Sequence, residues 1–233
     1  MDSYPATIAI DGPAASGKTT VGLMLAKHIE YLFLDTGCMY RAVTLAALDR
    51  GVSVEDEIGI THLTRRLDMD ILPASVDSDS RHYTVLLNGV DVTWALRGVE
   101  VDVNVSQVST YAGVRADLVR RQRAIGERGR VVMVGRDIGT VVMPSAALKL
   151  YVTASKEERA RRRWKELEGR FRDASYEQIL AEIERRDQID GNRDVAPMRP
   201  ASDALIIDTT NRTPEEVIQD ILALEPFQPV TQN

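Results

Sequence analysis

The apolar run Thr7–Ile10 leads through Asp11 into Gly12-Pro-Ala-Ala-Ser-Gly17-Lys18-Thr19, and an amphipathic helical pattern starts at Lys18. A strand, a glycine-bounded loop and a helix in that order confine the fold more than anything else in the chain. The loop matches the G-x-x-x-x-G-K-[ST] spacing, and both flanks are the ones this motif requires. Glycines let backbone N–H groups turn inward around anionic oxygens, and the helix N-terminus adds partial positive charge. Gly12, Pro13, Ala14, Ala15, Ser16, Gly17, Lys18, Thr19 and Thr20 are therefore candidates to hold nucleotide phosphates. Lys18 would reach the β- and γ-phosphates, and the Thr19 hydroxyl is placed to ligate Mg²⁺. The alternative is a glycine-rich turn that binds nothing. The loop by itself names a phosphate, not a reaction.

Further apolar runs lie at Leu32–Leu34, Val131–Val134, Leu148–Val152 and Leu205–Ile207. Each is short and apolar on successive positions, the pattern of strands buried on both faces of a parallel sheet. Between them come helical stretches: Lys18–Ile29, with Val21, Leu25 and Ile29 on one face, and Val114–Glu127, with Val114, Leu118 and Ile125. Pro214–Leu224 opens with Thr213 as N-cap, Pro214 at N1 and Glu216 completing a capping box. This alternation predicts an α/β fold built on a parallel sheet. Residues 67–99 break the rhythm. Tyr83, Val85 and Leu87 alternate up to Asn88-Gly89, and Val90 and Val92 follow, which predicts a hairpin. Met69–Leu72 would add a third strand to this small antiparallel insert. Glu225–Asn233 reads as a loose tail.

Composition narrows the function classes. A net charge of −6 argues against general nucleic-acid affinity. Cys38 is the only cysteine, so neither an intrachain disulfide nor a multi-cysteine metal site is expected. No apolar run reaches the roughly 18 residues of a membrane span, and Met1–Ala6 lacks a secretory pattern. The expectation is a cytoplasmic protein with no membrane or nucleic-acid partner, working as a monomer. A GTP-binding switch is disfavoured because no Asn is followed by Lys.

Ligands of open α/β sheets bind beyond the carboxyl ends of the strands, and three charged motifs bear on that rim. Asp35-Thr36-Gly-Cys-Met-Tyr40-Arg41 follows the second strand; Asp35 or Thr36 can cap the next helix, and Arg41 can pair with an anion. The alternative there is a capped helix with a solvated arginine. Gly135-Arg136-Asp137 follows the third strand and offers either a phosphate and base contact or a structural ion pair. In Arg186-Asp-Gln-Ile-Asp190-Gly-Asn-Arg193, a helix would put Arg186, Asp190 and Arg193 on one face, for binding or as a solvated charged surface. Arg159-Ala-Arg-Arg162-Arg163 lies on the helix after the fourth strand. Arginines there would stabilise charge during phosphoryl transfer and form a lid that excludes water. Pairs such as Glu158 with Arg162 would be the plain structural alternative.

Together, Ile8-Ala-Ile-Asp-Gly-Pro-Ala-Ala-Ser-Gly-Lys-Thr19, Leu34-Asp-Thr-Gly-Cys-Met-Tyr-Arg41, Gly135-Arg-Asp-Ile-Gly-Thr-Val-Val142 and Arg186-Asp-Gln-Ile-Asp-Gly-Asn-Arg193 with Val195-Ala-Pro197 resemble the bacterial cytidylate kinase family, the CMP/dCMP kinases among the nucleoside monophosphate kinases. The resemblance spans about Thr7 to Leu224. It implies a five-stranded P-loop core (residues 1–66, 100–154 and 174–233), an antiparallel nucleotide-binding insert (67–99) and an arginine-rich helical lid (155–173). It implies transfer from ATP, with Mg²⁺, to CMP or dCMP. By motif position, Thr36, Tyr40, Arg41, Arg115, Arg136, Asp137, Arg186, Asp190 and Arg193 would form the acceptor site. Arg136 and Asp137 would read cytosine with Thr36 and Arg115 near the same edge. Asp190 would take the ribose hydroxyls with Arg186 beside it, and Arg41 and Arg193 would hold the acceptor phosphate. Lys18, Arg159, Arg162 and Arg193 are the implied catalytic cations. The chain departs from the family at Val134, where an acidic residue often stands in or beside that position, with an altered metal or water contact as the expected consequence. It departs also at Arg97-Gly98-Val99-Glu100-Val101, where the family's usual proline is missing and a looser hinge is expected.

Overall fold

Each predicted strand of the main sheet forms, and each runs one residue past its apolar pattern. They are β1 (Thr7–Asp11), β2 (Leu32–Asp35), β6 (Val131–Gly135), β7 (Leu148–Thr153) and β8 (Leu205–Asp208). The extra residue is polar or glycine and stands at the carboxyl rim, so a pattern of apolar residues cannot see it. The computed structural model describes residues 4–73, 81–168 and 175–227. The sheet is parallel in the order β2-β6-β1-β7-β8, which puts β1, and the loop it feeds, at the centre.

Helices cover both faces. Ile8 and Ile10 of β1 point with Val132, Val134 and Leu150 toward Val21 and Leu25 of α1 (Lys18–His28) and toward Val217 and Ile221 of α8 (Pro214–Leu222). Ala9, Val131 and Met133 point the other way, where Val119 of α5 (Ala112–Gly126) packs with Ile138. Strand alternation thus sends neighbouring residues into two separate cores, each stabilised by burial of apolar surface. β8 departs from the expectation of two buried faces. Among the described residues it is an edge strand paired only with β7, and Leu205 and Ile206 remain half exposed.

The small antiparallel sheet also forms, from β3 (Met69–Pro73), β4 (Tyr83–Leu87) and β5 (Val90–Asp91). Asn88 and Gly89 take φ of 50° and 78°, the paired positive angles a tight hairpin needs. Residues 74–80 of the insert lie outside the described residues, as do 169–173 of the expected lid and 228–233 of the tail. The described start of that tail is not loose. Glu225–Phe227 forms a 3₁₀ turn, and Phe227 is buried with its ring 5.9 Å from Tyr4.

A third core joins α2 (Gly37–Asp49), α3 (Glu57–Arg66), α4 (Val99–Val108) and α5 to the small sheet through Val43, Ile60, Val85 and Leu118. Gly98 caps α4 with φ −62° and ψ 150°, so the helix starts cleanly without the proline. A fourth core packs Ala160 and Leu167 of α6 (Lys156–Glu168) on Ile179 and Ile183 of α7 (Tyr176–Gly191), with Ala15 of the phosphate loop against it. α7 ends before Arg193, so Arg193 does not share its face as predicted; it returns toward the site from beyond the helix end. No helix among the described residues is long and apolar enough to cross a membrane.

Candidate active site

The loop after β1 is held in a shape only its own residues permit. Gly12 has φ 152°, and a Cβ there would lie 2.0 Å from the Val152 carbonyl oxygen. Ala15 takes φ 57°, a conformation that costs a non-glycine residue about 1 kcal/mol or more and persists because neighbours enforce it. Those neighbours are identifiable. Arg159 Nη1 donates to Ala14 O at 3.3 Å, and Thr209 Oγ1 donates to Ser16 O at 2.9 Å. Lys18 is buried, with Nζ donating to Pro13 O at 2.9 Å. Burial and then Arg136 push its pKa well below the ordinary lysine value. Thr19 Oγ1 donates to Asp35 Oδ2 at 2.9 Å, while Asp35 Oδ1 accepts from Gly37 N at 3.0 Å. Thr20 is exposed.

A cleft of about 490 Å³ runs from this loop past Arg41, Arg136 and Arg186 to Tyr83 of β4 and Arg97. It continues into a pocket of about 70 Å³ bounded by Thr36, Tyr40, Arg115, Asp137, Asp190 and Arg193. The sequence-predicted acceptor residues therefore do converge, from four separate stretches of chain. Arg115 Nη2 donates to Asp137 Oδ2 and Nη1 to Ser109 O at 3.3 Å. The Arg115 guanidinium lies 5.8 Å from the centre of the Tyr40 ring, and burial pushes the Tyr40 phenol up to about 12. Arg136 Nε donates to Asp190 Oδ2 at 2.9 Å, and Arg193 Nε to the Asp190 carbonyl at 3.3 Å. Burial raises the Asp190 carboxyl, but Arg136, Arg193 and Arg186 outweigh it and hold its pKa below the usual value. Burial and Arg136 bring Arg186 down to about 10. Thr36 turns its hydroxyl to Val134 O at 2.9 Å. Three buried guanidinium nitrogens, Arg115 Nε, Arg186 Nε and Arg193 Nη2, have no hydrogen-bond partner among the described residues. Buried donors of that kind are rare in folded proteins and mark a place for an acceptor.

The arginines of α6 take different partners. Arg159 is buried behind the loop, paired with Asp187. Arg162 Nη1 lies 3.4 Å from where a Cβ on Gly17 would stand, and donates to Thr209 Oγ1 at 2.9 Å. Glu158 takes both Arg161 and Arg162, at 2.7 and 2.8 Å. Arg163 opens onto the cleft, bound to Asp102 and Glu166, each at 2.9 Å. Sequence reasoning passed over Asp11, Asp102 and Asp187 as site residues, named Arg163 only within the arginine run, and gave Asp35 only a capping role. Asp11 accepts from Ile138 N at 2.7 Å and Gly139 N at 2.8 Å, where Ile138–Val142 closes as a π-helical turn. That turn is the irregular geometry often found at functional sites. The Val134 side chain packs inside the sheet–α1 core, and only its carbonyl, which accepts from Thr36, faces a pocket-lining residue.

A phosphate loop on the central strand of a parallel sheet, facing a cationic cleft, defines a P-loop nucleotide-binding phosphotransferase. A family model described as cytidylate kinase matches residues 8–226. The cytidylate kinase of Herpetosiphon aurantiacus is 49% identical over 220 residues, covering 94% of each chain. That of Chloroflexus aggregans is 50% identical over 218 residues, covering 94% of this chain and 93% of its own. That of Bacillus subtilis is 45% identical over 216 residues, covering 93% and 94%. The chain belongs to the cytidylate kinase family and is a kinase.

Proposed function

We propose that this chain transfers the terminal phosphoryl group of ATP to CMP or dCMP, giving ADP and CDP or dCDP. The observation that carries this reading is the pairing of a phosphate loop with an acceptor pocket in one cleft. The loop with Lys18 stands at one end, and the pocket holding the buried N–H groups of Arg115, Arg186 and Arg193 that lack a hydrogen-bond partner stands at the other. An oxygen of the acceptor phosphate attacks the γ-phosphorus in line, and the bond to the β-γ bridging oxygen breaks. That oxygen is largely ionised near neutral pH, so no general base is needed. Catalysis is then positioning and charge stabilisation. A bound triphosphate keeps Lys18 protonated against its burial. Arg162, above Gly17, and Arg163 line the cleft with Lys18 and would share in stabilising the developing charge; Arg159 holds the loop. In this reading the small sheet is the acceptor-side insert and α6 belongs to the lid.

Asp137 and Arg136 fit the cytosine edge. A carboxylate accepts from the exocyclic amine that uracil lacks, and a guanidinium donates to the ring nitrogen and carbonyl. In this reading Thr36 and Arg115 would lie near the same edge, Asp190 and Arg186 would take the ribose, and Arg41 and Arg193 would hold the phosphate.

Thr19 and Asp35 suit Mg²⁺, being hard oxygen donors 2.9 Å apart at the loop's mouth. Among the described residues no cluster of three or more His, Cys, Asp or Glu could hold a metal, so phosphates and water would complete the shell. Bound there, Mg²⁺ would neutralise charge on the transferring phosphates. Cytoplasmic operation as a monomer belongs to the same proposal; the single buried thiol of Cys38 fits a reducing compartment.

Coupled ADP release across CMP, dCMP, UMP, AMP and shikimate tests the reading. CMP and dCMP should give the highest kcat/KM. Faster turnover of UMP, AMP or shikimate would overturn it.

A further inference from the structure

One carboxylate in the cleft stands where it opposes the ligands just described. Asp102 lies in the first turn of α4. Its Oδ1 accepts from Arg41 Nη2 at 2.6 Å and its Oδ2 from Arg163 Nη2 at 2.9 Å. The two arginines come from α2 and α6 and line the cleft together with Lys18. Arg41 is fixed on its other side by Leu96 O at 3.0 Å, and Arg163 by Glu166 at 2.9 Å. Asp102 is thus the shared partner of an arginine on the acceptor side and one on the arginine helix. Its side chain is 11% exposed, so solvent screens the contact only weakly. Burial raises its carboxyl, but Arg41 and Arg163 outweigh burial and keep it ionised. The α4 N-terminus favours the same charge.

We propose that Asp102 is an internal competitor for substrate phosphate: it shares Arg41 and Arg163 with the phosphates in the cleft and limits how tightly they are held. The inference rests on the phosphate-binding reading of the cleft. A phosphate brought to Arg41 meets a guanidinium already neutralised on one edge, and it meets a like charge beside it. Both effects weaken the complex. They weaken a diphosphate product more than a monophosphate acceptor, because the product carries more charge. A kinase whose product is more anionic than its acceptor gains turnover from such a group. Asp102 is a positioning residue in this scheme, since it acts through the two arginines and touches neither reacting atom.

Calorimetric titration of CMP, cytidine and inorganic tripolyphosphate into the wild-type chain and Asp102→Asn, at one ionic strength, tests this. In Asp102→Asn the Kd for CMP and for tripolyphosphate should fall by about five- to tenfold, as expected when a like charge is removed beside an anion site. Cytidine, which has no phosphate, should bind as before, and kcat should drop as product leaves more slowly. Asp102→Glu, which keeps the charge, should restore wild-type affinities. Unchanged or weaker CMP and tripolyphosphate binding in a folded Asp102→Asn chain would overturn the proposal. Should that variant not fold, Asp102→Ser is titrated in its place with the same criteria. If the wild-type chain binds tripolyphosphate but not CMP, the acceptor reading fails, and the tripolyphosphate arm still decides the role of Asp102.

Discussion

Arg159 and Asp187 meet in a two-pronged ion pair, Nη1 to Oδ1 at 3.0 Å and Nη2 to Oδ2 at 2.6 Å, that joins α6 to α7 behind the phosphate loop. The same guanidinium donates to Ala14 O at 3.3 Å and to Ala154 O at 3.1 Å. Planar, forked pairing of this kind fixes the arginine's orientation, and the arginine fixes the loop. Asp187→Ala leaves a buried cation unpaired. Breaking a fully buried pair costs about 3–5 kcal/mol. Asp187 is 28% exposed, so the loss here should be nearer 2 kcal/mol. Urea denaturation should show that loss, and the KM for ATP should rise more than the KM for CMP. An equal or larger effect on the CMP side would mean that the pair does not brace the donor loop.

Lys18→Ala separates chemistry from folding. Lys18 Nζ donates to Pro13 O, a contact a folded loop can lose cheaply, whereas the transferring phosphate would lose its nearest point charge. Removing one such electrostatic stabiliser typically costs about 10²–10³-fold in kcat. The variant should melt within a few degrees of the wild type and show at least that drop. Near-normal turnover would remove Lys18 from the reaction.

These two residues also show what the sequence discloses and what it conceals. Lys18 was legible because its role is encoded locally: a strand, a fixed spacing and a helix lie within a dozen residues. The hairpin at Asn88-Gly89 was legible for the same reason. The strand cores of Thr7–Asp11 and Val131–Gly135 were legible from apolar runs, though not the final Asp11 or Gly135, which the apolar pattern excludes. Arg159 was seen as a cation near phosphate, but its partner Asp187 sits 28 residues away in a charge run that reads equally well as a solvated surface. Asp102 was invisible for a stronger reason. It lies among the valines of α4, and its partners Arg41 and Arg163 are each 61 residues distant, so only the packing of α2, α4 and α6 brings them together. Arg193 reaches the site although α7 stops short of it, its Nε donating back to the Asp190 carbonyl at 3.3 Å.

Asp190 offers a test of the acceptor end. Its Oδ2 takes Arg136 Nε at 2.9 Å, its carbonyl takes Arg193 Nε at 3.3 Å, and three guanidinium groups hold its carboxyl ionised. Asp190→Asn keeps the shape and removes the charge. A hydrogen bond to a charged group is worth about 1.5–3 kcal/mol, which converts to at least tenfold in affinity. The KM for CMP should rise by about that factor while the KM for ATP changes less than about twofold. Parallel rises in both constants would take Asp190 out of the acceptor site.

Asp11 couples the loop to the π-helical turn, and its protonation gives the last test. Its two oxygens accept from Ile138 N and Gly139 N at 2.7 and 2.8 Å. Burial raises its pKa from 3.8 to about 6, against the two backbone donors, which lower it. The folded protein therefore holds this proton more tightly than the unfolded chain does. That contribution to stability is complete below the unfolded value and is lost as pH rises through about 6. A rise of that size corresponds to about 3 kcal/mol between the extremes of pH. Asp11→Asn removes the titration and keeps the volume. The stability of the wild type relative to Asp11→Asn should then fall from pH 4 to pH 6 by about 1.4 kcal/mol per pH unit at most and level off above pH 7. Urea denaturation of both chains at several pH values reads this directly, because the other titrating groups cancel in the difference. A flat difference would mean that Asp11 is already ionised across that range, with the Ile138 and Gly139 donors outweighing its burial.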